Sequence, residues 1–263
     1  MFQQAKAPVS IRGDRIEIAG IGVDNLSEDE TLDSIQRLIE AGGNHYGAVV
    51  NAAKLAVARR SPELTRALES ADLVTADGMS VVWASRLLGQ GLKGRVTGID
   101  LMGKLVERAA ELGQPVYFLG AREEAVRGTV DYFASKCPQL RVAGYRNGYF
   151  AADDWAGVAD KIRHSGADIL FVAMGSPAQE IWIDANLAAT GARFALGVGG
   201  SFDHMSGLAK RAPLWMQRAG LEWLFRLVSE PRRLWRRYLV GNSVFLWLVV
   251  KQLLTLGPNS PRQ

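Results

Sequence analysis

The chain has 263 residues, of which 48% are hydrophobic and 22% are charged. This composition is typical of a globular protein with a buried core and excludes a largely disordered chain. The single cysteine, Cys137, excludes an internal disulfide and a metal site built from several cysteines. The polar first ten residues do not resemble a signal peptide, so we expect the protein in the reducing cytoplasm.

Positive charge is concentrated towards the C-terminus. From residue 207 onward ten lysines and arginines accompany two acids, whereas the preceding part carries four more acids than bases. This asymmetry predicts an anionic partner, which could be nucleic acid, anionic lipid or a phosphorylated substrate. Tryptophans among these charges favour a membrane interface, where indole rings settle near the head groups. They are Trp215, Trp223, Trp235 and Trp247.

The longest late apolar run covers residues 238–250 and contains no charged residue. It is shorter than the roughly 20 residues that a membrane span needs. We therefore expect this run to lie on a membrane rather than cross one.

The N-terminal part predicts a β-hairpin and a capped helix. Residues 9–23 alternate between apolar and polar, with Gly13-Asp14 at the middle, which is typical of a hairpin followed by a second short strand. Ser27 then precedes three acids and an apolar spacing with helical period. This pattern predicts a helix that ends near Gly42.

From residue 47 the sequence alternates short apolar runs with amphipathic stretches. The predicted strands cover residues 47–51, 72–76, 116–119, 141–145, 169–174 and 194–198. The predicted helices cover residues 52–59, 63–70, 79–88, 99–112, 123–135, 153–164 and 178–188. Apolar strands separated by helices indicate an α/β, Rossmann-like fold, with a mainly parallel sheet covered by helices on both faces. Ligands of such sheets bind at the carboxyl ends of the strands.

After residue 198 this alternation stops. Residues 213–228 predict one amphipathic helix, and Pro231 begins another that runs into the 250s. We therefore expect an α/β domain over residues 1–206 and a basic, aromatic helical appendage over residues 207–263.

Polar residues follow several of the predicted strands. Asn51 would either cap the next helix or offer its amide to a ligand. Asp77 would either cap a helix or act as a general base. Arg95 lies in a compact polar turn where it could orient a ligand, and Tyr149 follows a glycine in a loop where it could stack on a base.

Two glycine turns after strands are suited to binding phosphate. Residues 174–180 leave a strand, turn at a glycine and enter a helix with Gln179 in its first turn. Free backbone N–H groups at such a turn face the ligand side. The same design follows the next strand, at Gly199, Gly200, Ser201, Phe202 and Asp203.

The sequence predicts no metal site and no cofactor. Its three histidines lack the spacing of metal ligands, and no Asp-x-Asp pair follows a strand to hold an ion on a nucleotide diphosphate. The P-loop and the glycine motif of dinucleotide-binding folds are also absent. Charge on a phosphate would then be met by helix N-termini and by arginines, among which Arg226, Arg233 and Arg236 have helical spacing.

Several ordered motifs resemble the WecG/TagA/CpsF glycosyltransferases, glycosyltransferase family 26. They are LVTADGMSVVWASRLLG, RVTGIDLM, ILFVAMGSPAQEIWI and GVGGSFDHMSGLAKRAPLWMQRAGLEWLFRLVSEPRRLWRRYLVG, and the similarity covers about residues 47–245. The resemblance implies an inverting, metal-independent enzyme of cell-envelope or exopolysaccharide assembly. Such an enzyme moves a sugar from a UDP-sugar to a sugar on a polyprenyl diphosphate at the cytoplasmic membrane face, with a β-1,4 linkage. The resemblance thus implies a protein that is peripheral on the inner face of the bacterial cell membrane.

The resemblance also implies roles for matching residues. Asp77 matches the proposed catalytic base, and Asn51 and Gln179 match polar residues of the pocket. Tyr149 and residues 199–203 match segments that line the nucleotide site. Arginines implicated in holding the diphosphate or the lipid-linked acceptor are matched by Arg226, Arg233 and Arg236.

One position departs from the family pattern, since Val49 stands where the family often has threonine. This departure favours glucose, as in a xanthan-type exopolysaccharide branch, over N-acetylmannosamine as the sugar transferred. Two other classes stay open: a basic membrane- or nucleic-acid-binding regulatory protein without catalysis, and a nucleotide-sugar epimerase or dehydrogenase. The tryptophans argue against a nucleic-acid partner, and the missing dinucleotide motif argues against the epimerase or dehydrogenase. A homo-oligomer is left open by the sequence.

Overall fold

The computed structural model describes residues 14–256, except for the side chains of Arg218, Arg233, Arg236 and Arg237. The described chain begins with an antiparallel hairpin of β1 (Arg15–Ile18) and β2 (Ile21–Asp24). Its turn is Ala19-Gly20, where both residues have positive φ, 53° and 84°, as tight two-residue hairpins require. The turn predicted at Gly13-Asp14 includes a residue outside the described part and stays a prediction.

Helix α1 (Glu28–Ala41) begins and ends where the sequence predicts. The Ser27 hydroxyl accepts a hydrogen bond from the Glu30 N–H, and the Glu30 carboxylate accepts one from the Ser27 N–H at 2.7 Å. This reciprocal pair is a capping box, which satisfies two of the unpaired donors at the helix N-terminus. The helix ends at Gly42, whose φ is 76°.

Six parallel strands form the central sheet. They are β3 (His45–Val50), β4 (Leu73–Ala76), β5 (Val116–Gly120), β6 (Val142–Arg146), β7 (Ile169–Ala173) and β8 (Phe194–Gly197). Their order across the sheet is β4-β3-β8-β7-β5-β6, and each neighbouring pair is parallel. Five of the six, all except the edge strand β6, are almost completely buried, because helices cover both faces of the sheet.

Eleven further α-helices surround or extend this sheet within the described residues. They are α2 (Ala52–Ala58), α3 (Pro62–Ser70), α4 (Met79–Leu87), α5 (Gly98–Leu112), α6 (Glu123–Lys136), α7 (Trp155–Ser165), α8 (Ala178–Thr190), α9 (Ser201–Met205), α10 (Leu214–Arg218), α11 (Glu222–Ser229) and α12 (Pro231–Leu256). One face of the sheet shares a core with α2, α3, α7 and α8, and the other shares a core with α1, α5, α6 and α9. The Rossmann-like α/β fold predicted from the sequence is confirmed.

The single helix predicted over residues 213–228 is wrong, because the chain breaks between α10 and α11. Gly220 has a φ of 72°, which a right-handed helix cannot contain. A Cβ atom at Gly220 would come within 2.9 Å of the Met79 Cγ atom in α4. The break therefore lets the backbone pass close to α4 and brings Glu222, the first residue of α11, next to Arg95.

Helix α12 lies along α2 and is attached to the rest of the molecule near both of its ends. A Cβ atom at Gly241 would lie 3.3 Å from the Ala53 Cα atom. Further along, Phe245 and Val249 are buried in the core. The Gln252 side chain accepts a hydrogen bond from the Ala19 N–H at 2.9 Å and donates one to the Glu17 carbonyl at 2.8 Å. The expected boundary between residues 206 and 207 stays a prediction.

One stretch of α12 is long and apolar enough to cross a membrane by length and composition. It covers Tyr238–Thr255, with a mean hydropathy of 1.3 and 17% of its residues buried. This stretch is longer than the apolar run predicted at residues 238–250, because it continues past Lys251. Core helices of soluble proteins pass the same test, so the apolarity alone does not assign a span.

Candidate active site

A cleft of about 600 Å³ opens at the carboxyl ends of the strands. Its sheet side is formed by the loops after β3, β4, β7 and β8, which place Asn51, Asp77, Ser176 and Gly199 around one space. The opposite wall comes from α11 and the first part of α12. Its residues are Glu222, Trp223, Phe225, Arg226, Leu234 and Tyr238. The C-terminal helices and the α/β part therefore build one cleft together.

Most of the residues singled out from the sequence line this cleft. They are Asn51, Asp77, Arg95, Gln179, Gly199, Gly200, Ser201, Asp203 and Arg226. Phe202 does not, because its side chain is fully buried and its ring packs on that of Phe118 at 5.8 Å. Tyr149 is also outside the lining and is 75% exposed in the loop after β6. The side chains of Arg233 and Arg236 lie outside the described part, although their backbone belongs to α12.

Asp77 lies directly after β4 and deep in the cleft. Its N–H donates to the Val50 carbonyl at 2.8 Å, which fixes it beside the end of β3. The N-cap of α4 is Gly78, so the alternative role of Asp77 as a helix cap is wrong. Burial raises the pKa of the Asp77 carboxyl, and Glu222 adds to this effect, whereas Arg226, Arg95 and Lys54 act in the opposite direction. The net result is a raised pKa, which suits a proton acceptor.

Asn51 caps α2, so the predicted role as a helix cap is confirmed. Its Oδ1 atom accepts a hydrogen bond from the Lys54 N–H at 3.0 Å. The residue also lines the cleft, and its Nδ2 group makes no hydrogen bond to any other residue in the described part of the chain. A Cβ atom at Gly78 would lie 3.4 Å from the Asn51 Cβ atom. The two strand-end loops thus pack closely, which places Asn51 next to the turn at Asp77 and Gly78.

A buried ion pair that was not predicted from the sequence lies beneath the cleft. The Lys54 Nζ atom is 2.6 Å from Glu180 Oε1 and also donates to the Val49 carbonyl at 2.7 Å. Side-chain exposure is 4% for Lys54 and 0% for Glu180. Burial opposes the ionisation of Glu180, but the charge and hydrogen bond of Lys54 outweigh it and lower the pKa of the Glu180 carboxyl. The sequence signal for this pair was the position of Lys54 among apolar residues in the first turn of α2.

Gln179 connects this ion pair to the glycine turn after β8. Its Nε2 group donates to Glu180 Oε1 at 2.7 Å, and its Oε1 atom accepts from the Gly199 N–H at 3.0 Å. The side chain crosses β8 at Gly197, where a Cβ atom would lie 2.7 Å from the Gln179 Nε2 atom. Gln179 is 1% exposed. Its amide therefore lies at the floor of the cleft, where its hydrogen bonds support the glycine turn from below.

Three arginines surround one carboxylate at the cleft wall. Glu222 lies 3.2 Å from Arg95 Nη1, 3.5 Å from Arg226 Nη2 and 3.8 Å from Arg211 Nε. Arg211 also makes two hydrogen bonds to Asp100, at 2.6 and 2.7 Å. These contacts join the C-terminal helices to α5 and to the turn that holds Arg95. The cluster carries more positive than negative charge next to Asp77, as an anionic ligand requires.

The cleft contains cationic residues that the sequence analysis did not select. Arg122 precedes the first turn of α6 and follows the Gly120 turn after β5, and Lys210 lies in the loop before α10. Neither makes an ion pair within residues 14–256. Arg122 lies two residues past the end of β5, and this position at a strand end was the sequence signal for it. Among the described side chains, no group of three or more His, Cys, Asp or Glu residues could hold a metal ion.

Comparison with known families decides the class of the protein. A family model described as the glycosyl transferase WecG/TagA/CpsF family matches residues 16–258. The chain belongs to this family. It is therefore a glycosyltransferase, and the alternatives of a regulatory protein and of an epimerase or dehydrogenase lose their support. Family membership agrees with the cleft, in which a recessed carboxylate faces several arginines.

Two curated relatives of this family carry the same name, N-acetylglucosaminyldiphosphoundecaprenol N-acetyl-beta-D-mannosaminyltransferase. The protein of Bacillus spizizenii is 40% identical over 182 residues, which is 69% of this chain and 70% of the relative. The protein of Bacillus subtilis is 37% identical over 172 residues, which is 65% of this chain and 66% of the relative. The aligned part thus spans about two thirds of each relative.

Proposed function

We propose that this glycosyltransferase moves a sugar from a UDP-sugar to a sugar carried on a polyprenyl diphosphate. The reaction would serve the assembly of a cell-envelope polysaccharide or exopolysaccharide, with inversion at the anomeric carbon and a β-1,4 linkage. Family membership and the names of both relatives support the transfer to a lipid-linked acceptor. The observation that carries the proposed mechanism is Asp77, a recessed carboxylate with a raised pKa at the centre of the cleft.

In this mechanism Asp77 is the general base. The carboxylate takes the proton of the acceptor hydroxyl while the hydroxyl oxygen forms a bond to the anomeric carbon. The bond between that carbon and the diphosphate oxygen breaks, and UDP leaves with the electron pair. One base and a direct displacement invert the anomeric centre, and a positioned base typically contributes about 10²–10⁴-fold to such a rate.

Arginine side chains and backbone N–H groups would stabilise the departing diphosphate, so the proposed reaction needs no metal ion. The charges of Arg226 and Arg95 are close enough to Asp77 to act on the pKa of its carboxyl. Arg122 lines the same cleft. In the glycine turn at residues 199–201 the Gly199 and Ser201 N–H groups are already hydrogen bonded, so the Gly200 N–H is the donor that this turn offers to the cleft. Donors fixed in place before the reaction stabilise developing negative charge without rearranging.

A membrane-facing surface would present the lipid-linked acceptor to the cleft. Trp215 and Trp223 are 64% and 40% exposed on α10 and α11, and Trp235 and Trp247 are 46% and 60% exposed on α12. Trp223 also lines the cleft, so the exposed aromatic surface is continuous with the site. Indole rings favour the head-group region. The proposed location is therefore the cytoplasmic face of the cell membrane.

Two sugars are the first donors to test. The names of the relatives favour N-acetylmannosamine, whereas Val49 instead of threonine favours glucose. Val49 lines the cleft, and a Cβ atom at Gly98 would lie 3.3 Å from its Cγ2 atom. At this position the cleft wall is therefore the apolar side chain of Val49, whereas a threonine would present a hydroxyl to the ligand.

The test is release of UDP from UDP-glucose and from UDP-N-acetylmannosamine, with a short-chain lipid-diphosphate N-acetylglucosamine as acceptor. We expect turnover that depends on the acceptor with one of these donors, and a product with the opposite anomeric configuration to the donor. Turnover should persist after treatment with a chelator. A retained configuration, or no product with any UDP-sugar, would contradict the proposal.

A further inference from the structure

A second cleft, of about 340 Å³, lies away from the candidate active site. It is formed where the turn of the β1–β2 hairpin meets the end of α2 and the start of α3. Three arginines line it, Arg59, Arg60 and Arg66, together with one acid, Glu69. We call it the arginine cleft.

The three guanidinium groups are available to a ligand. All three residues are exposed, and within residues 14–256 none of them makes an ion pair with an acidic side chain. Glu69 is the acid among the lining residues, so the cleft carries a net positive charge. Arginine binds phosphate through paired N–H donors in a plane, which favours a phosphate group over a simple anion.

The arginine cleft lies beside the C-terminal end of α12. Gln252 of α12 hydrogen bonds to Glu17 and to Ala19, and Ala19 is itself one of the residues that line the cleft. The helix of 26 residues is about 39 Å long. The candidate active site is near its first turns, through Leu234, and the arginine cleft is near its last turns.

Helix α12 presents a mainly apolar face outward from Trp235 to Leu254, with the exposed Ser243 as a polar residue within it. Its inner face is buried against α2 through residues such as Phe245 and Val249. The large exposed residues repeat with helical spacing on the other face. They are Trp235, Leu239, Val240, Leu246, Trp247, Val250, Leu253 and Leu254. A helix with one packed face and one exposed apolar face lies in the plane of a membrane interface.

We propose that the arginine cleft binds the phosphate groups of anionic phospholipids and holds the C-terminal end of α12 on the membrane. This inference rests on the membrane association in the proposed function and adds a second contact point to it. Charge complementarity selects the ligand, since unpaired arginines next to an apolar helix face match phosphate next to acyl chains. With both ends of α12 fixed, the open side of the active-site cleft would keep a constant height above the bilayer.

The test compares the full chain with two triple variants in sedimentation with phosphatidylcholine vesicles that contain or lack 30% phosphatidylglycerol. The cleft variant is Arg59→Gln, Arg60→Gln and Arg66→Gln. The matched control, Arg37→Gln, Arg127→Gln and Arg141→Gln, removes the same charge from α1, α6 and the segment before β6. Each basic residue near an anionic surface contributes about 1 kcal/mol, or fivefold. We expect the cleft variant to bind anionic vesicles at least about tenfold more weakly than the control variant.

Other outcomes would overturn the inference. An equal loss of vesicle binding in both triple variants would mean that only net charge matters. If the wild-type chain does not bind anionic vesicles, anionic phospholipid is not the ligand. Binding of inorganic phosphate or UDP that is lost in the cleft variant would identify a soluble ligand instead. Turnover with a short-chain soluble acceptor separates the two proposals, since the cleft variant should keep it. If the wild type lacks this turnover, the proposed function fails, whatever the vesicles show.

Discussion

Among single residues, Asp77 is an acid of the cleft whose pKa is raised by burial, although Arg226, Arg95 and Lys54 oppose this rise. The Asp77→Asn variant should keep UDP binding and lose roughly 10²–10⁴-fold in kcat, since the amide cannot accept the proton. Steady-state release of UDP and nucleotide binding measured separately would check this. Full turnover in the variant would remove Asp77 from the mechanism.

The raised pKa of Asp77 also predicts how rate and stability depend on pH. In the wild type, kcat/KM should rise with pH as the carboxyl ionises, and this rise should lie above the ordinary aspartate pKa of about 3.9. Because the folded-state pKa exceeds the unfolded one, stability falls as pH rises through it. Asp77→Asn should therefore be the more stable protein at neutral pH in urea unfolding, and the difference should shrink as pH is lowered.

The buried pair of Lys54 and Glu180 predicts a coupled effect on stability. Lys54→Met leaves the Glu180 carboxylate without its partner, and breaking a buried pair costs about 3–5 kcal/mol. The double variant, Lys54→Met with Glu180→Gln, should recover part of this loss, because neither side chain is then charged. Urea unfolding of both single variants and the double variant would measure the coupling. Additive losses would show that the two residues act independently.

The pH dependence of this pair has the opposite sign to that of Asp77. The pKa of the Glu180 carboxyl is lowered in the folded protein. The stability that Glu180 contributes is therefore present above the unfolded glutamate pKa of about 4.3 and is lost as pH falls through the folded value. The wild type should therefore lose more stability than the double variant on acidification.

At the scale of elements, the break at Gly220 shows where local pattern and tertiary packing disagree. The amphipathic spacing of residues 213–228 predicts one helix, but α4 approaches so closely that the backbone must bend at a glycine. Gly220→Ala should destabilise the protein by about 1–2 kcal/mol through its positive φ, with a further loss from the contact with Met79. Turnover should fall as well, because α11 carries Arg226 into the cleft.

A matched control is available in α7. Gly157 is exposed, it lies inside a regular helix, and an added Cβ atom would have no neighbour within 4 Å. Gly157→Ala should leave turnover unchanged and raise stability slightly, by up to about 1 kcal/mol. Thermal unfolding of both variants gives the comparison. A neutral Gly220→Ala variant would show that the chain can follow another path there.

The strands and most helices could be predicted because their signals are local. Apolar runs such as residues 169–174 are too short for buried helices and are bounded by turns, so they identify strands of a covered sheet. Parallel strands bring their carboxyl ends to one edge, and this geometry alone places Asn51 and Asp77 together. The ion pair of Lys54 and Glu180 could not be predicted in this way. The two residues are 126 positions apart, and no local pattern links them.

The orientation of side chains within a turn also could not be predicted from the sequence. Residues 199–203 have the composition of a ligand-binding turn, yet successive residues of α9 point in different directions. Ser201 and Asp203 line the cleft, whereas Phe202 between them enters the core formed with Phe118. Composition predicted the turn, and only packing shows which of its side chains faces the cleft.

At the scale of the whole molecule, the active-site cleft depends on the C-terminal helices. Deleting residues 207–263 removes one wall of the cleft and uncovers the face of α2 that packs on α12. We expect the remaining domain to fold with lower stability and to lose at least about 100-fold in turnover. Removing only residues 258–263 is the control and should leave turnover unchanged. Equal turnover of the long deletion and the full chain would show that the cleft needs only its sheet side.

The hydrogen bonds of Gln252 bring the two described ends of the chain together. Glu17 lies 235 positions before Gln252, yet their atoms are 2.8 Å apart. The described part of the chain therefore begins and ends at neighbouring places, and chains whose ends are close together tolerate circular permutation. A designed linker could join residue 256 to residue 14, and new ends could be opened at the exposed residues 89–91, which lie outside the cleft lining. Such a permutant would move the sites for fusion partners away from the C-terminal end of α12.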